Sequence, residues 1–198
     1  MTVMKPLRDK YVDITRQTLL DTALRLFTEH EYLEVSAEVL VRESGLTRGA
    51  LYHHFDGKRG LFEAVFNELE RLAVQRIRSA TASVSDPIAM FDRGVAEFLD
   101  ICAEPSYRQI VMLQGPIALG WRRWRELDQQ HLGGILNDVV KGLDAQELLK
   151  PHPPKLIHSA LFGTLAELCI AIAASDDPDQ ARQQAVTLVH DLLNGLLT

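Results

Sequence analysis

Between positions 47 and 59 the chain reads Thr47-Arg48-Gly49-Ala50-Leu51-Tyr52-His53-His54-Phe55-Asp56-Gly57-Lys58-Arg59, a segment dense in groups able to recognise an anion or a base edge. Thr47 is an N-cap type of residue. A helix that starts behind it points its first free amides outward, where their partial positive charge suits a phosphate. Arg48 and Gly49 fall in the first turn. An arginine there can donate two hydrogen bonds to a guanine, and a glycine lets the backbone approach a nucleic acid closely. Tyr52 brings a phenolic donor one turn later. Lys58 and Arg59 put two cations at the start of the next helix, the end that disfavours positive charge, so an external anion is the expected partner. His53 and His54 point in different directions on a helix, and no HExxH pattern or acidic partner at ligand spacing accompanies them. No metal site is read there, and His53 is kept as part of the recognition surface.

These groups need elements to hold them. Leu19, Leu20, Ala23, Leu24 and Phe27 recur at helical spacing and predict a first helix; Ser36 is the expected N-cap of a shorter one ending at Ser44. Gly45 can take the positive φ of a tight turn, and Thr47 opens a third helix to about His54. Short helix, glycine turn, short helix is the layout of a helix-turn-helix, with Leu40, Leu46 and Leu51 placed to pack between its two helices. Leu61, Phe62, Val65, Phe66, Leu69, Leu72 and Ala73 then stripe a long fourth helix.

From about Thr15 to Glu70 the chain resembles the TetR (tetracycline-repressor-like) family of transcriptional regulators, and more loosely in the helical layout beyond. The resemblance implies an all-α fold: an N-terminal three-helix helix-turn-helix DNA-binding domain, residues 1–57, and a C-terminal helical ligand-binding and dimerisation domain, residues 58–198. It matches Thr47 to the capping position of the recognition helix, Tyr52 to a tyrosine on the phosphate backbone, and Lys58 to a lysine that contacts phosphate. With Ser36, Gly49, His53, Arg48 and Arg59 these make up the expected DNA surface. Three positions depart from the pattern. Glu31 stands where a glycine usually ends the first helix, and a left-handed Glu would be strained by roughly 1 kcal/mol. Val35 replaces a Thr or Ser, and Val41 an Ala, the latter expected to open the helix pair slightly.

Beyond residue 80 the chain is apolar and poor in catalytic groupings. No nucleophile elbow or phosphate-binding loop is present, and the Asp176-Asp177-Pro178-Asp179 cluster fits a helix start with Pro at its first position. Asp86-Pro87 opens another helix, striped by Ile88, Phe91, Val95, Phe98, Leu99 and Cys102. Gly115-Pro116 and Gly120 divide Tyr107 to Trp121 into two short helices or one kinked one. Trp124, Leu127, His131, Ile135 and Val139 predict a single further helix, Lys150 to Pro154 a linker, and two last helices follow, Lys155 to Ala174 and Pro178 to about Leu197. Phe98, Met112, Trp121, Trp124 and His131, aromatic surface with a few polar groups, are the candidate effector-binding residues. Leu161, Leu165, Leu168, Val189, Leu192 and Leu193 are the candidate interface of a homodimer built from those last helices.

Composition sets outer limits. The chain has 198 residues, 46% of them hydrophobic, only two cysteines, and a net charge of −6. Residues 1–60 are charge-balanced and hold a locally basic arm, Lys5, Arg8, Lys10 and Arg16; the acidic excess lies after them. No secretory signal is visible, and Leu156 to Ala174, apolar enough to test as a membrane span, contains Glu167, at roughly 2.5 to 3.5 kcal/mol near a bilayer centre. The expected protein is cytoplasmic, with no membrane, metal or cofactor, and is not an enzyme. Its expected partners are a double-stranded DNA operator, a small-molecule effector and a second copy of itself. The expected function is a ligand-responsive regulator, a repressor released from a palindromic operator by a small apolar or amphipathic molecule. The competing reading is an all-α small-molecule or lipid carrier that does not read DNA; Arg48, Tyr52 and Lys58 together argue against it.

Overall fold

The computed structural model describes residues 7–198, so Lys5 of the basic arm lies outside the described residues. The chain forms α1 (Leu7–Glu29), α2 (Ala37–Ser44), α3 (Arg48–Phe55), α4 (Lys58–Thr81), α5 (Pro87–Ala103), a π-helix (Tyr107–Gln114), α6 (Gly115–Leu119), α7 (Trp121–Gln130), α8 (Leu132–Ala145), α9 (Pro154–Ala173) and α10 (Pro178–Leu196). Among the described residues the only β pairing is an isolated bridge between Leu149 and Leu197. The all-α fold is as the sequence implied.

Local chemistry sets the boundaries in the first half. Ser36 Oγ accepts from the Val39 amide and Thr47 Oγ1 from the Ala50 amide, each at 3.2 Å, which starts α2 and α3. Gly45 takes φ 65°, and its amide donates to the Arg42 carbonyl, so the turn between them is tight. Leu40 and Leu51 are wholly buried beneath it, packed on Leu19, Ala23 and Phe27 of α1.

The junction after α1 differs from the expectation of a strained Glu31. Among the described non-glycine residues only Asp56 and Glu147 have positive φ. The chain turns instead by returning the Glu34 and Val35 amides to the Glu31 carbonyl, at 3.0 and 3.3 Å, so no left-handed residue is needed. Val35 is buried, which explains an apolar side chain there; Ser36 does the capping.

α4 enters both halves of the molecule. Leu61, Phe62, Val65 and Phe66 pack into the head, Ala73 and Ile77 into the helices that follow, while Leu72, expected on this face, is exposed. Asp86 caps α5 by accepting from the Ala89 amide at 2.7 Å. The interrupted stretch after Tyr107 is a π-helix joined to short α6. The single helix expected from Trp124 to Val139 is two, because His131 leaves helical geometry at φ −103°, ψ −96° and α8 restarts at Leu132. In α9 Ile157, Leu161, Phe162, Leu165, Cys169 and Ile172 face the chain's own core, whereas Glu167 is in solvent. By length and composition α9 could cross a membrane; one of its faces is packed in the chain's own core.

α3 and α4 meet where only a glycine fits. A Cβ on Gly60 would stand 1.6 Å from the Phe55 carbonyl oxygen. Gly60→Ala is expected to destabilise the protein by about 3 kcal/mol or more through overpacking against rigid backbone, read by chemical denaturation; an unchanged midpoint would show that the two helices can separate freely.

Candidate functional site

The exposed end of the head carries the first cluster. Thr47, Arg48, Gly49, Tyr52 and His53 are all solvent-accessible on one short helix. A Cβ on Gly49 would meet nothing nearer than Thr47 Oγ1 at 3.7 Å, so the fold itself does not require a glycine there. Arg48 is occupied: Nη1 pairs with Glu38 at 2.6 Å, and the guanidinium lies 5.4 Å from the Tyr52 ring centroid. Glu38 is held below the ordinary carboxylate range chiefly by its own backbone amide and the Ser36 side chain, with Arg48 a smaller influence. Both partners of the pair are exposed, so the contact is weak and exchangeable.

Lys58, half-buried, and Arg59, exposed, each have an acceptor within the chain. Lys58 Nζ donates to the Tyr32 carbonyl at 2.6 Å and sits 3.9 Å from the Tyr32 ring, and burial pulls its ammonium below the usual value. It fastens the α1–α2 turn to the start of α4. Arg59 Nη2 donates to the Leu119 carbonyl at 2.9 Å, tying α4 to the end of α6. Each cation thus has a carbonyl acceptor within the chain, a partner that the local sequence does not reveal. Ser36 is half-buried and already bonded to Val39.

The second cluster is internal. A cavity of about 110 Å³ lies between α4, α5, the π-helix, α7, α8 and α9. Phe98, Met112 and Trp124, three of the expected effector residues, line it with Phe91, Phe162 and Asp128. Trp121 and His131 do not. Trp121 is 65% exposed because α7 turns only its other face inward. His131 points to Asn67, 3.0 Å from its Oδ1, and burial lowers its imidazole's proton affinity.

Two buried carboxyls, Asp128 in the cavity wall and Glu70 beside it, are not among the expected site residues. Glu70 Oε1 accepts from the Tyr107 hydroxyl at 2.8 Å, and burial, reinforced by Asp128, pushes its pKa up to about 8. Asp128 is pushed to about 7 by burial, with Arg125 opposing. A signal existed for both: each occupies a core-facing position of its helix, Glu70 four residues after Phe66 and Asp128 four after Trp124. Gln114 gave no such signal. It is buried, and its Nε2 donates to the carbonyls of Phe27 at 2.9 Å and His30 at 3.2 Å, at the end of α1.

Residues 19–65 match the profile of bacterial regulatory proteins of the tetR family, and residues 88–196 that of the tetracyclin repressor-like C-terminal domain. The chain belongs to the TetR family. It is thereby a DNA-binding, ligand-responsive transcriptional regulator. Among curated TetR-family relatives, the HTH-type transcriptional repressor AcnR of Corynebacterium diphtheriae is 39% identical over 188 residues, 91% of this chain and 92% of its own. The HTH-type transcriptional repressor Rv1474c of Mycobacterium tuberculosis is 33% identical over 185 residues, 89% of this chain and 92% of its own. A TetR-family regulator from Pectobacterium atrosepticum superposes with TM-score 0.77 at 29% identity, covering 98% of each chain.

In this TetR-family chain four of the expected interface residues are committed elsewhere. Leu161, Leu165, Val189 and Leu193 are buried in the chain's own core, since each lies on the inward side of α9 or α10. Leu168 is half-buried and packed on the same core. Leu192 alone of the six is exposed. The outward faces instead carry Leu156, Ile170, Leu188 and Leu192, with Ala160 and Gly163 between them.

The two carboxyls set a pH dependence. Unfolded, both lose their protons near the ordinary carboxylate range; folded, Glu70 holds its proton to about 8 and Asp128 to about 7. The native state therefore binds more protons across that window, and stability falls as pH rises from about 5 to 8. Denaturation midpoints should drop between pH 6 and pH 8 in the parent and much less in Glu70→Gln. Equal midpoints at the two pH values in the parent would mean that both groups ionise freely.

Proposed function

We propose that this regulator is a homodimeric, cytoplasmic repressor that leaves a palindromic operator when a small apolar or amphipathic molecule enters the cavity between α4 and α9. One observation carries the reading: the same short segment walls the cavity and grips the head. Met112 and Trp124 line the cavity, and Trp124 Nε1 donates to the Val111 carbonyl at 2.9 Å. Two residues after Met112, Gln114 holds the end of α1; at the end of α6, Leu119 holds Arg59 at the start of α4. A molecule that displaces Met112 or Trp124 pulls on contacts that orient the recognition helix. Residues 1–57 act as the DNA-binding unit and 58–198 as the sensing and dimerising unit. Coupling of this kind is reciprocal: operator DNA weakens effector binding by the same factor as effector weakens DNA binding.

On the DNA side, Thr47 and Gly49 present the amino end of α3, Tyr52 and His53 lie further along its exposed face, and Arg48 reads a base after exchanging Glu38 for a guanine edge. Lys58 and Arg59 support the head from behind. The dimer forms through the outward faces of α9 and α10, where Leu156, Ile170, Leu188 and Leu192 flank small residues that permit close helix approach.

Arg48→Ala should relax preference at one base position per half-site and cost about 1 to 3 kcal/mol there. Glu38→Gln, which frees Arg48 and removes a negative charge beside the DNA, should tighten operator binding. Site selection on both variants checks this; an unchanged motif for Arg48→Ala would end its base-reading role. Leu192→Glu should yield folded monomers, whereas Leu193→Glu, which puts the charge into the core, should yield unfolded protein. Sedimentation and circular dichroism separate the two, and an intact Leu192→Glu dimer would place the interface elsewhere.

A further inference from the structure

The wall of the cavity is apolar except at Thr81 and Asp128. The Thr81 hydroxyl is spent, donating to the Ile77 carbonyl at 2.9 Å. Asp128 is not: it is 7% exposed, lines the cavity, and its Oδ2 has no hydrogen-bond partner. A lone carboxylate oxygen in an apolar wall is costly, and a fold that wanted only a packed interior would do better with an asparagine or leucine. The unpaired oxygen needs a donor, and the empty space beside it is where one would come from.

The surroundings say which kind. Groups close enough to act on Asp128 are Glu70 on α4, Cys102 on α5, Tyr107 on the π-helix and Arg125 on its own helix. Burial keeps the Cys102 thiol and Tyr107 phenol neutral, and Glu70 stays protonated to about 8. From α9, the free thiol of Cys169 acts on that of Cys102, and His158 is turned to the Gly133 carbonyl at 3.1 Å. Arg125 is engaged with the Phe162 ring at 4.5 Å. No lining residue is a cation, so an anionic guest would meet one carboxylate and no counter-charge. A cationic guest would meet that carboxylate and the aromatic side chains of Phe98 and Trp124. The volume, about 110 Å³, is of the order of the roughly 150 Å³ cavity known to take a benzene.

We propose that Asp128 is the polar anchor of the effector site, and that the effector is a molecule of about one ring carrying a protonated amine. This rests on reading the cavity as the effector site. The ammonium donates to Asp128 Oδ2 while its ring fills the space among Phe91, Phe98, Met112 and Trp124.

The test uses three molecules of one shape, benzylamine, benzyl alcohol and benzoate, titrated into the full chain. The readouts are tryptophan fluorescence, since Trp124 lines the cavity, and melting temperature. At pH 8 benzylamine should bind about tenfold or more tighter than benzyl alcohol, as a desolvated charge pair does, and benzoate more weakly than either. Asp128→Asn, nearly isosteric and relieved of a buried charge, should melt no lower than the parent at that pH and reduce benzylamine to the affinity of the alcohol. Lowering the pH to 6 should erase the amine's advantage in the parent, because Asp128 then takes up its proton while the ammonium keeps its own. Benzoate binding best, or benzylamine binding equally to parent and Asp128→Asn, overturns the anchor and leaves the cavity as an effector site. If none of the three moves either signal, the cavity reading falls with it. Benzylamine that binds through Asp128 without changing operator affinity upholds the anchor and removes the effector role.

Discussion

One helix, α4, runs through the core from the head to the helices that follow, and the rest of the molecule depends on that sharing. Its first half is clamped in the head by Leu61, Phe62, Val65 and Phe66, and its second half reaches the cavity wall at Ile77 and Thr81. Gly60 fixes how closely it approaches α3, since even one added carbon would collide with the Phe55 carbonyl. A straight helix of 24 residues cannot shear in its middle without breaking hydrogen bonds, so any tilt at the cavity end becomes a displacement at the head. On the proposed reading, the contacts that restrain this tilt are the ones that carry the coupling. Arg59 to Leu119 and Gln114 to Phe27 and His30 do so from opposite sides of the same junction.

Those restraints are polar, which has an energetic meaning. An apolar contact slides; a buried amide that donates to two carbonyls has one good position and loses a full hydrogen bond when moved from it. Gln114 therefore gives the head–cavity junction a preferred register, where packing alone would allow a range. Gly115 sharpens it, because a Cβ there would stand 2.6 Å from Trp124 Cδ1 and 3.2 Å from Phe66. The indole that lines the cavity thus rests directly on the backbone that follows Gln114. Burying Glu70 and Asp128 in the same layer lowers stability near neutral pH, an expense that packing does not explain and ligand binding would.

How much of this was legible follows from how local each cause is. Ser36, Gly45, Thr47 and Asp86-Pro87 act on backbone groups within three or four residues, so their effects could be read from the string. The helical stripes of α1 and of the start of α4 were equally plain. What failed was whatever depended on the far side of the fold. That Lys58 has an acceptor inside the chain could not be seen, because Tyr32 is 26 positions away. Leu161 and Leu165 looked like interface because α9 is apolar on more than one side, and periodicity gives the faces without saying which one its own chain will cover. Trp121 and Trp124 are neighbours on one helix, yet one is exposed and the other buried, since α7 has a single core-facing stripe. The break at His131 left no proline or capping residue to announce it.

The resting state of the recognition surface follows from the same electrostatics. The chain carries a net −6, and its first 60 residues are charge-balanced, so the whole protein offers DNA no long-range attraction of the kind a basic protein has. The cation in the first turn of α3, Arg48, is paired with Glu38 at 2.6 Å. Both side chains are exposed, so the pair costs little to open. On the proposed reading a guanine edge replaces the carboxylate at small net cost, while away from such a site Arg48 keeps its partner and Glu38 sets a negative charge beside the surface, which favours specific over non-specific binding.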